Sequence, residues 1–385
     1  MKAFFGSIGR FFRDADIILL ALSLVCTILG ILLINSIVRN FETGNELQVQ
    51  IGALVIGLVL FVLFSYVDID IIADKSIFLM IFSVGLISTL FIWGEGDELG
   101  NRAWLRFFGI GIQPAEVIKI PFIIIIAKMI ATFKERRKLN NFLSLLQIFL
   151  VFGTLFGLIL WVSDDLGSGL VYVFIIAVML FIGGVKLRWF LLAAAVVAAV
   201  FPFIWENFLS SVQRARILTP FAQFFPGELS PADYERFTWQ VNRSLSAISS
   251  GGFFGVGIGN GNYTQRSGAI FAHHTDFIFA AVGEELGFFG GVFVVLLLVM
   301  IIIRCVYVGA KSNNSLGMLV CTGVAAMLIA HTIINIGMSI GIMPVIGITL
   351  PFFSYGGSAI VTCMAAMGIV SGVKMRPKPM RFRSS

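Results

Sequence analysis

Long apolar runs recur along this chain, and they constrain its fold more than any other feature of the sequence. Ten runs of about twenty residues can be recognised, most of them bounded by charged residues. An α-helix crosses the hydrocarbon core of a bilayer in about 20 residues. We therefore predict an all-α polytopic membrane protein with about ten transmembrane helices. The predicted spans lie near residues 17–37, 48–67, 77–93, 113–133, 142–162, 166–185, 189–205, 278–303, 316–338 and 354–373.

Composition supports this fold class. Apolar residues make up 58% of the 385 residues and charged residues 12%, against roughly 45–50% and about 25% in soluble proteins. A soluble enzyme, a disordered chain and a secreted disulfide scaffold are thereby excluded. The first span is longer than the roughly 7–15 apolar residues of a cleaved signal peptide, so we expect it to remain in the protein. The four cysteines lie in apolar stretches without CxxC spacing, and we expect neither a zinc site nor disulfides.

The distribution of charge predicts the orientation of the chain. With the N-terminus in the cytoplasm, most of the 27 Lys and Arg residues fall in cytoplasmic segments, as the positive-inside rule requires. Both termini are then cytoplasmic, residues 374–385 form a basic cytoplasmic tail, and residues 206–275 form a long outer loop between helices 7 and 8. We read the net charge of +6 as a sign of this topology and expect no nucleic-acid partner. Residues 1–385 are predicted to form a single membrane domain.

Three acidic residues lie where the chain returns from the outer loop to the membrane. Asp276 stands at the start of the eighth span, and Glu284 and Glu285 follow about two turns deeper. A carboxylate at membrane depth costs about 2.5–3.5 kcal/mol on insertion scales, so each should have a partner or a function. Asp276 is either a helix N-cap, a position that Asp favours, or a group that faces a substrate, and the two roles are compatible.

Two further polar groups stand out. Glu116 and Lys119 are three residues apart in the fourth span and can pair on one helix face, with Asp165 as a further candidate partner of Lys119. For this trio we favour a structural role. Residues 335–358 are apolar yet rich in helix breakers, so this segment should be buried in protein or line a cavity. We interpret His331, one turn earlier, as a packing residue.

These segments together resemble the SEDS family of bacterial cell-wall proteins. Their sequence motifs are more similar to those of its rod-shape branch than to those of its division branch. The resemblance covers most of the chain after residue 100. Ala115, Trp239 and the residues just before His273 depart from the family pattern, which affects loop geometry more than charge. The matching stretches are Arg102–Lys119, Asp165–Ser168, Gln240–Gly259, His273–Gly287 and Asn335–Ser358.

The resemblance implies an inverting peptidoglycan glycosyltransferase in the bacterial cytoplasmic membrane, with its active site facing outward. It would polymerise lipid II into β-1,4 glycan strands during cell elongation and rod-shape maintenance. The implied partners are lipid II, the nascent glycan strand, a class B penicillin-binding protein that supplies transpeptidation, and the elongation machinery. A division or sporulation paralogue is the alternative within the family. A lipid II flippase is the rival from another class, because many spans with buried charges and broken helices also suit transporters.

The reaction needs a base for the acceptor hydroxyl and a counter-charge for the departing pyrophosphate. Asp276 is the predicted catalytic base, or alternatively a ligand of a divalent cation, Mg²⁺ or Mn²⁺. No other cofactor is expected. The residues predicted to support the site are Trp104, Glu116, Lys119 and Asp165. The residues predicted to bind substrate are Arg214, Arg216, Arg243, His274, Ser354 and Tyr355.

Overall fold

The computed structural model of the chain is a bundle of long helices. It describes residues 11, 13–38, 45–96, 102–107, 110–207, 209, 211–224, 231–264 and 275–376. Within these residues, nine helices are long and apolar enough to cross a membrane. The helices and strands are Ile17–Val38, Glu46–Tyr66, Ile69–Asp74, Ser76–Ser88, Leu90–Trp93, the strands Leu105–Phe107 and Ile110–Ile112, Pro114–Val117, Lys119–Glu135, Phe142–Ser163, Leu166–Gly183, Leu187–Asn207, Ser211–Leu218, the 3-10 helix Thr219–Phe224, Pro231–Ser250, Ile278–Ala281, the π-helical turn Val282–Leu286, Gly287–Ala310, Ser315–Ser339 and Gly357–Met375.

The fourth predicted span is not among these nine helices. It consists of the short helix Pro114–Val117 followed by the 17-residue helix Lys119–Glu135. Pro114 occupies the first turn, where its missing N–H costs nothing. The nine long apolar helices confirm the prediction of an all-α polytopic membrane protein with about ten passes. The four cysteines are buried free thiols, which agrees with the absence of disulfides that the sequence predicts.

The last two spans form the centre of the bundle. Gly357–Met375 packs along Glu46–Tyr66, and Ser315–Ser339 packs between Leu166–Gly183 and Gly287–Ala310. Close approach of the first pair depends on glycine, because a Cβ atom on Gly368 would lie 2.6 Å from the carbonyl oxygen of Phe61. A peripheral helix contrasts with these: Leu187–Asn207 has no buried residue.

The first and last described helices meet at one end of the bundle, which we call the Asp16 end. The Asp16 carboxylate lies 2.9 Å from Arg304 Nε and 3.7 Å from Lys374 Nζ. The opposite end, the Asp276 end, carries the two short strands, the described helices of the 206–275 loop and the irregular segment 340–356. The described parts of that loop are mostly helical. Residues 377–385 of the basic tail lie outside the described residues.

Candidate active site

Asp276 lies in a turn, half-buried, between the end of the 206–275 loop and the helix that begins at Ile278. The N-cap position of that helix is Phe277, and no side chain caps it. The expectation that Asp276 is an N-cap is therefore wrong.

The backbone around Asp276 is held by side chains that come from far along the chain. Asn335 Nδ2 donates to the carbonyl oxygen of Asp276 at 2.8 Å and to that of Ile348 at 2.6 Å. Ser354 Oγ donates to the carbonyl oxygen of Thr275 at 2.6 Å. The same hydroxyl accepts from the backbone N–H of Leu350 at 2.8 Å. Two side chains thus join the Asp276 turn to the segment 340–356.

That segment passes directly beside the Asp276 carboxylate. A Cβ atom placed on Gly347 would lie 3.5 Å from Asp276 Oδ2. Gly347 also has φ of +72°, a left-handed conformation that favours glycine. The neighbours Ile346, Ile348 and Leu350 are buried, as predicted for irregular backbone at membrane depth.

A cleft of about 190 Å³ opens next to this arrangement. Its walls come from the helices of the 206–275 loop and from residues 340–345, and Arg216 is the charged residue among its lining. Val345 lines the cleft while Gly347 adjoins Asp276. Two residues of extended chain span at most about 7 Å, so the cleft and the carboxylate are close neighbours. The polar lining residues are Arg216, Thr219, Thr238 and Asn242.

The other two acids of the entry segment accept hydrogen bonds from neighbouring parts of the protein. Glu284 accepts hydrogen bonds from the backbone N–H groups of Asn262, Tyr263 and Thr264, at 2.6 to 2.9 Å, and from the Thr264 hydroxyl at 2.7 Å. Glu285 accepts from Ser36 Oγ at 2.6 Å. Glu284 therefore holds the end of the outer loop, and Glu285 holds the first helix.

Behind the site lies a buried chain of polar groups. Glu116 and Lys119 form the predicted ion pair. Lys119 Nζ is also 2.7 Å from His331 Nε2, and His331 Nδ1 is 3.0 Å from the carbonyl oxygen of Thr349. Because a carbonyl can only accept, Nδ1 carries the ring proton and Nε2 accepts from Lys119. His331 is thus a buried histidine with both ring nitrogens hydrogen-bonded, in keeping with its interpretation as a packing residue, and it links the ion pair to the segment beside Asp276.

Asp165 does not join that chain by a hydrogen bond or an ion pair. It caps the helix Leu166–Gly183 by accepting from Ser168 N at 2.8 Å and from Ser168 Oγ at 2.7 Å. It also accepts from Gln113 Nε2 at 2.9 Å. Burial raises the pKa of the Asp165 carboxyl, which the bonds from Ser168 oppose. Asp165 therefore fixes the start of a helix, and as a candidate partner of Lys119 it acts only through the lysine charge, which lowers the pKa of its carboxyl.

The remaining predicted residues are distributed around the Asp276 end. Arg214 donates to the carbonyl oxygens of Leu209 and Glu206, so it braces its own loop. Arg243 is exposed and stacks on Trp239 at 5.5 Å, and it is not among the residues that line the cleft. Trp104 is half-buried against Gly111. His274 lies outside the described residues.

Tyr355 follows Ser354 and is half-buried. Burial, and to a lesser degree the Glu46 carboxylate, raise the pKa of its hydroxyl above the usual value. Among the residues that the structure describes, no three His, Cys, Asp or Glu side chains cluster as a metal site would.

Sequence reasoning assigned no role to Asn335. Its side chain is fully buried, and its Oδ1 accepts no hydrogen bond from a described residue. The available signal was a primary amide inside an apolar span, immediately before a run of helix breakers. Such a group is retained in an apolar core only when its bonds serve the structure.

These features define the class of the protein. It is a polytopic helical membrane protein with a half-buried carboxylate beside an irregular segment at one end of the bundle. Residues 16–378 match the FtsW/RodA/SpoVE family, described as cell cycle proteins. The chain belongs to this family.

Individual relatives match this chain over most of its length. The chain is 31% identical over 332 residues to the probable peptidoglycan glycosyltransferase FtsW of Bacillus subtilis strain 168, covering 85% of this chain and 80% of that protein. It is 28% identical over 359 residues to the peptidoglycan glycosyltransferase MrdB of Escherichia coli K12, covering 92% and 94%. A solved chain of a peptidoglycan synthase complex, in a study of how polymerization and crosslinking are coordinated, is 26% identical with a TM-score of 0.78 and coverage of 94% and 97%.

Proposed function

We propose that this protein is an inverting peptidoglycan glycosyltransferase that polymerises lipid II into β-1,4 glycan strands. Two relatives reported above bear the name peptidoglycan glycosyltransferase. The observation that carries the proposal is the position of Asp276, half-buried next to Gly347 and adjoining a cleft that contains Arg216. A sugar headgroup carried on a lipid would contact the Asp276 carboxylate at this end of the bundle.

In the proposed reaction Asp276 acts as general base. Its carboxylate takes the proton of the GlcNAc 4-hydroxyl of the incoming lipid II while that oxygen attacks the anomeric carbon of the growing strand. The bond between the anomeric carbon and the diphosphate breaks, and the electron pair leaves with undecaprenyl diphosphate. Attack from the opposite face inverts the anomeric centre and gives the β-1,4 bond. The proton on Asp276 then passes to solvent before the next cycle.

Arg216 is the candidate counter-charge for the departing diphosphate. It lines the cleft that adjoins Asp276, and a guanidinium pairs bidentately with phosphate oxygens. A Mg²⁺ or Mn²⁺ ion held by Asp276 and the diphosphate is the alternative assignment of the same carboxylate. Magnesium commonly binds through one or two carboxylates and substrate phosphates, so a single carboxylate fits this arrangement. Its chemistry would be to neutralise the charge that develops on the leaving group.

We further propose that the Asp276 end faces outward from the bacterial cytoplasmic membrane, and that the protein acts in cell elongation and rod-shape maintenance with a class B penicillin-binding protein. The charge bias of the sequence supports this orientation. A chain similar to this one belongs to a peptidoglycan synthase complex, which supports such a partner. Similar identity to FtsW and to MrdB leaves a division or sporulation paralogue as the alternative.

The test is polymerisation of lipid II by the purified full-length protein, with and without Mg²⁺ or Mn²⁺ and with and without a class B partner, followed by strand-length analysis. Asp276→Asn should reduce the rate at least about 100-fold while leaving the thermal midpoint in detergent unchanged. The matched control is Glu95→Gln, an exposed carboxylate at the same end of the bundle, which should polymerise normally. Native activity of Asp276→Asn would refute the catalytic assignment. An unmodified protein that never polymerises would favour a lipid II flippase.

A further inference from the structure

Four phenylalanines form an exposed aromatic cluster at the Asp276 end. Phe253 and Phe254 lie in the turn after the helix Pro231–Ser250 and are 67% and 84% exposed. Phe288 and Phe289, at the start of the helix Gly287–Ala310, are each more than half exposed. Ring centroids of neighbours in this cluster are 5.4 to 6.2 Å apart. Four exposed aromatic rings in contact form an apolar patch, which indicates a contact with something apolar.

The turn that carries Phe253 and Phe254 is held firmly against the membrane helix. Backbone N–H groups of Phe288 and Phe289 donate to the carbonyl oxygens of Gly252 and Phe253, at 2.9 and 3.1 Å. In the other direction Val256 N donates to the Glu284 carbonyl oxygen at 3.0 Å. A Cβ atom on Gly255 would lie only 2.2 Å from the carbonyl oxygen of Glu285. The two aromatic pairs therefore keep a fixed relation to each other.

Helix length places this cluster at a bilayer boundary. The helix Gly287–Ala310 has 24 residues and is about 36 Å long at 1.5 Å per residue. This alone crosses a hydrocarbon core of about 30 Å. Residues before Gly287 are thus not needed for the crossing, and Phe288 and Phe289 fall near the level where hydrocarbon meets headgroups. Phe253 and Phe254, in ring contact with them, lie at the same level.

We propose that the turn 251–255 is a membrane anchor that inserts Phe253 and Phe254 into the adjacent leaflet, so that its partner is the lipid surface itself. The apolar face is continuous with the lipid-facing side of Gly287–Ala310, where Phe293 and Leu296 are also exposed. Apolar aromatic side chains at the boundary of headgroups and acyl chains bind membranes by burying their area.

This anchor would set the depth of the candidate active site. The turn is bonded to the backbone of Glu284 and Glu285, and the Glu284 side chain in turn holds residues 262–264. Asp276 precedes Glu284 by eight residues through a short helix and a π-helical turn. Lipid contact on the anchor therefore fixes how far Asp276 stands from the headgroup layer.

The experiment uses Phe254→Cys in the full-length protein, labelled with an environment-sensitive fluorophore in nanodiscs. The native cysteines are buried, and the unsubstituted protein measures their background labelling. Ser249→Cys is the matched control, because Ser249 is exposed at the end of the neighbouring helix. Lipids with a spin label at acyl carbon 5 should quench the Phe254→Cys label several-fold more than the Ser249→Cys label. Aqueous iodide should show the reverse order.

Equal iodide quenching of the two labels, with no quenching by spin-labelled lipid, would overturn the proposal. Protection of the Phe254→Cys label only after a partner protein is added would overturn it as well, in favour of a protein-docking surface. Elution of the variant as the unsubstituted protein does in size exclusion shows that it is folded. Phe253→Cys gives an independent second position in the same turn. No polymerisation is measured, so the outcome is separate from that of the proposed function.

Discussion

Asp16 and Glu284 are both fully buried carboxylates, yet they are stabilised in different ways at the two ends of the bundle. Asp16 is neutralised by cations, Arg304 at 2.9 Å and Lys374 at 3.7 Å. Glu284 accepts three backbone N–H groups and a hydroxyl. The first arrangement joins regular helices to one another, and the second joins irregular segments.

This difference shows how the molecule combines a rigid bundle with a site built from non-helical chain. Cationic side chains reach across helix ends and pair with acids there, as Arg376 does with Asp68 and Asp70. At the Asp276 end, Asn335 and Ser354 supply neutral donors whose directions fix backbone positions. We therefore expect substitutions at the Asp276 end to change catalysis first, and substitutions at the Asp16 end to change stability first.

The largest effect is expected from Asn335→Ala. It removes both bonds that position the Asp276 turn against Ile348, and a displacement of about 1 Å at a reacting group can cost roughly 100-fold in rate. The free energy of unfolding should fall by about 1–3 kcal/mol, because two carbonyl oxygens lose their donor, and removal of the unpartnered Oδ1 offsets part of this loss. Polymerisation kinetics and the thermal midpoint measure the two quantities.

Thr332→Val is the matched control for Asn335→Ala. Thr332 is buried in the same helix, and its hydroxyl has no hydrogen-bond partner among the described residues. It should retain native rate and native stability. Equal polymerisation rates for Asn335→Ala and Thr332→Val would show that Asn335 does not position the Asp276 turn.

Asp16→Ala should lower the free energy of unfolding by about 2–3 kcal/mol. Breaking a buried ion pair costs about 3–5 kcal/mol, and the partial exposure of Arg304 and Lys374 reduces this figure. The thermal midpoint in detergent should fall by several degrees while the rate at a permissive temperature stays native. Asp14→Ala, which removes an exposed pair with Arg13, is the control. A lower polymerisation rate of Asp16→Ala with an unchanged thermal midpoint would contradict the expectation that substitutions at the Asp16 end change stability first.

Glu284→Gln should cost about 1–2 kcal/mol, because a neutral amide oxygen replaces a carboxylate that accepts from three backbone N–H groups. The effect should be local. Hydrogen exchange of peptides that cover residues 255–264 should accelerate, while exchange in the helix Ser315–Ser339 stays unchanged. Uniform acceleration across the bundle would show that Glu284 supports the whole fold.

The smallest effect is expected from Arg376→Ala. Its partners Asp68 and Asp70 are about half exposed, and ion pairs of this kind contribute at most about 1 kcal/mol. The thermal midpoint should fall slightly at low salt, and the difference should shrink at high salt because exposed charges are screened. A fall in the thermal midpoint larger than that caused by Asp16→Ala would contradict the expectation that the buried Asp16 ion pairs contribute more stability than the half-exposed pairs of Arg376.

The membrane architecture could be predicted because hydropathy acts locally. A run of about twenty apolar residues has one favourable environment, and charged residues mark its limits. The split of the fourth span into Pro114–Val117 and Lys119–Glu135 was harder to foresee. The helix that follows the break begins at Lys119, whose partner His331 lies more than two hundred residues later in the chain.

Individual residues at the Asp276 end could be selected from the sequence, Asp276, Ser354 and Arg216 among them, but their contacts could not. Asp276 stands out because a carboxylate at a span boundary is costly. The role of Asn335 and the contact that Ser354 makes were not predictable, because both side chains reach the Asp276 turn across long stretches of sequence. The N-cap interpretation failed for the same reason: tertiary hydrogen bonds hold the turn, and local helix chemistry does not decide its shape.

The π-helical turn Val282–Leu286 carries Glu284 and Glu285 side by side, one bonded to the outer loop and the other to Ser36 of the first helix. The turn ends at Gly287, which has φ of +70° and ψ of -168°, so the direction of the chain changes there before the membrane helix begins. A Cβ atom on Gly287 would lie 2.2 Å from the backbone nitrogen of Gly255. Any other residue at this position would push the turn 251–255 away from the start of Gly287–Ala310, so a single missing side chain decides how closely the outer loop can pack on this membrane crossing.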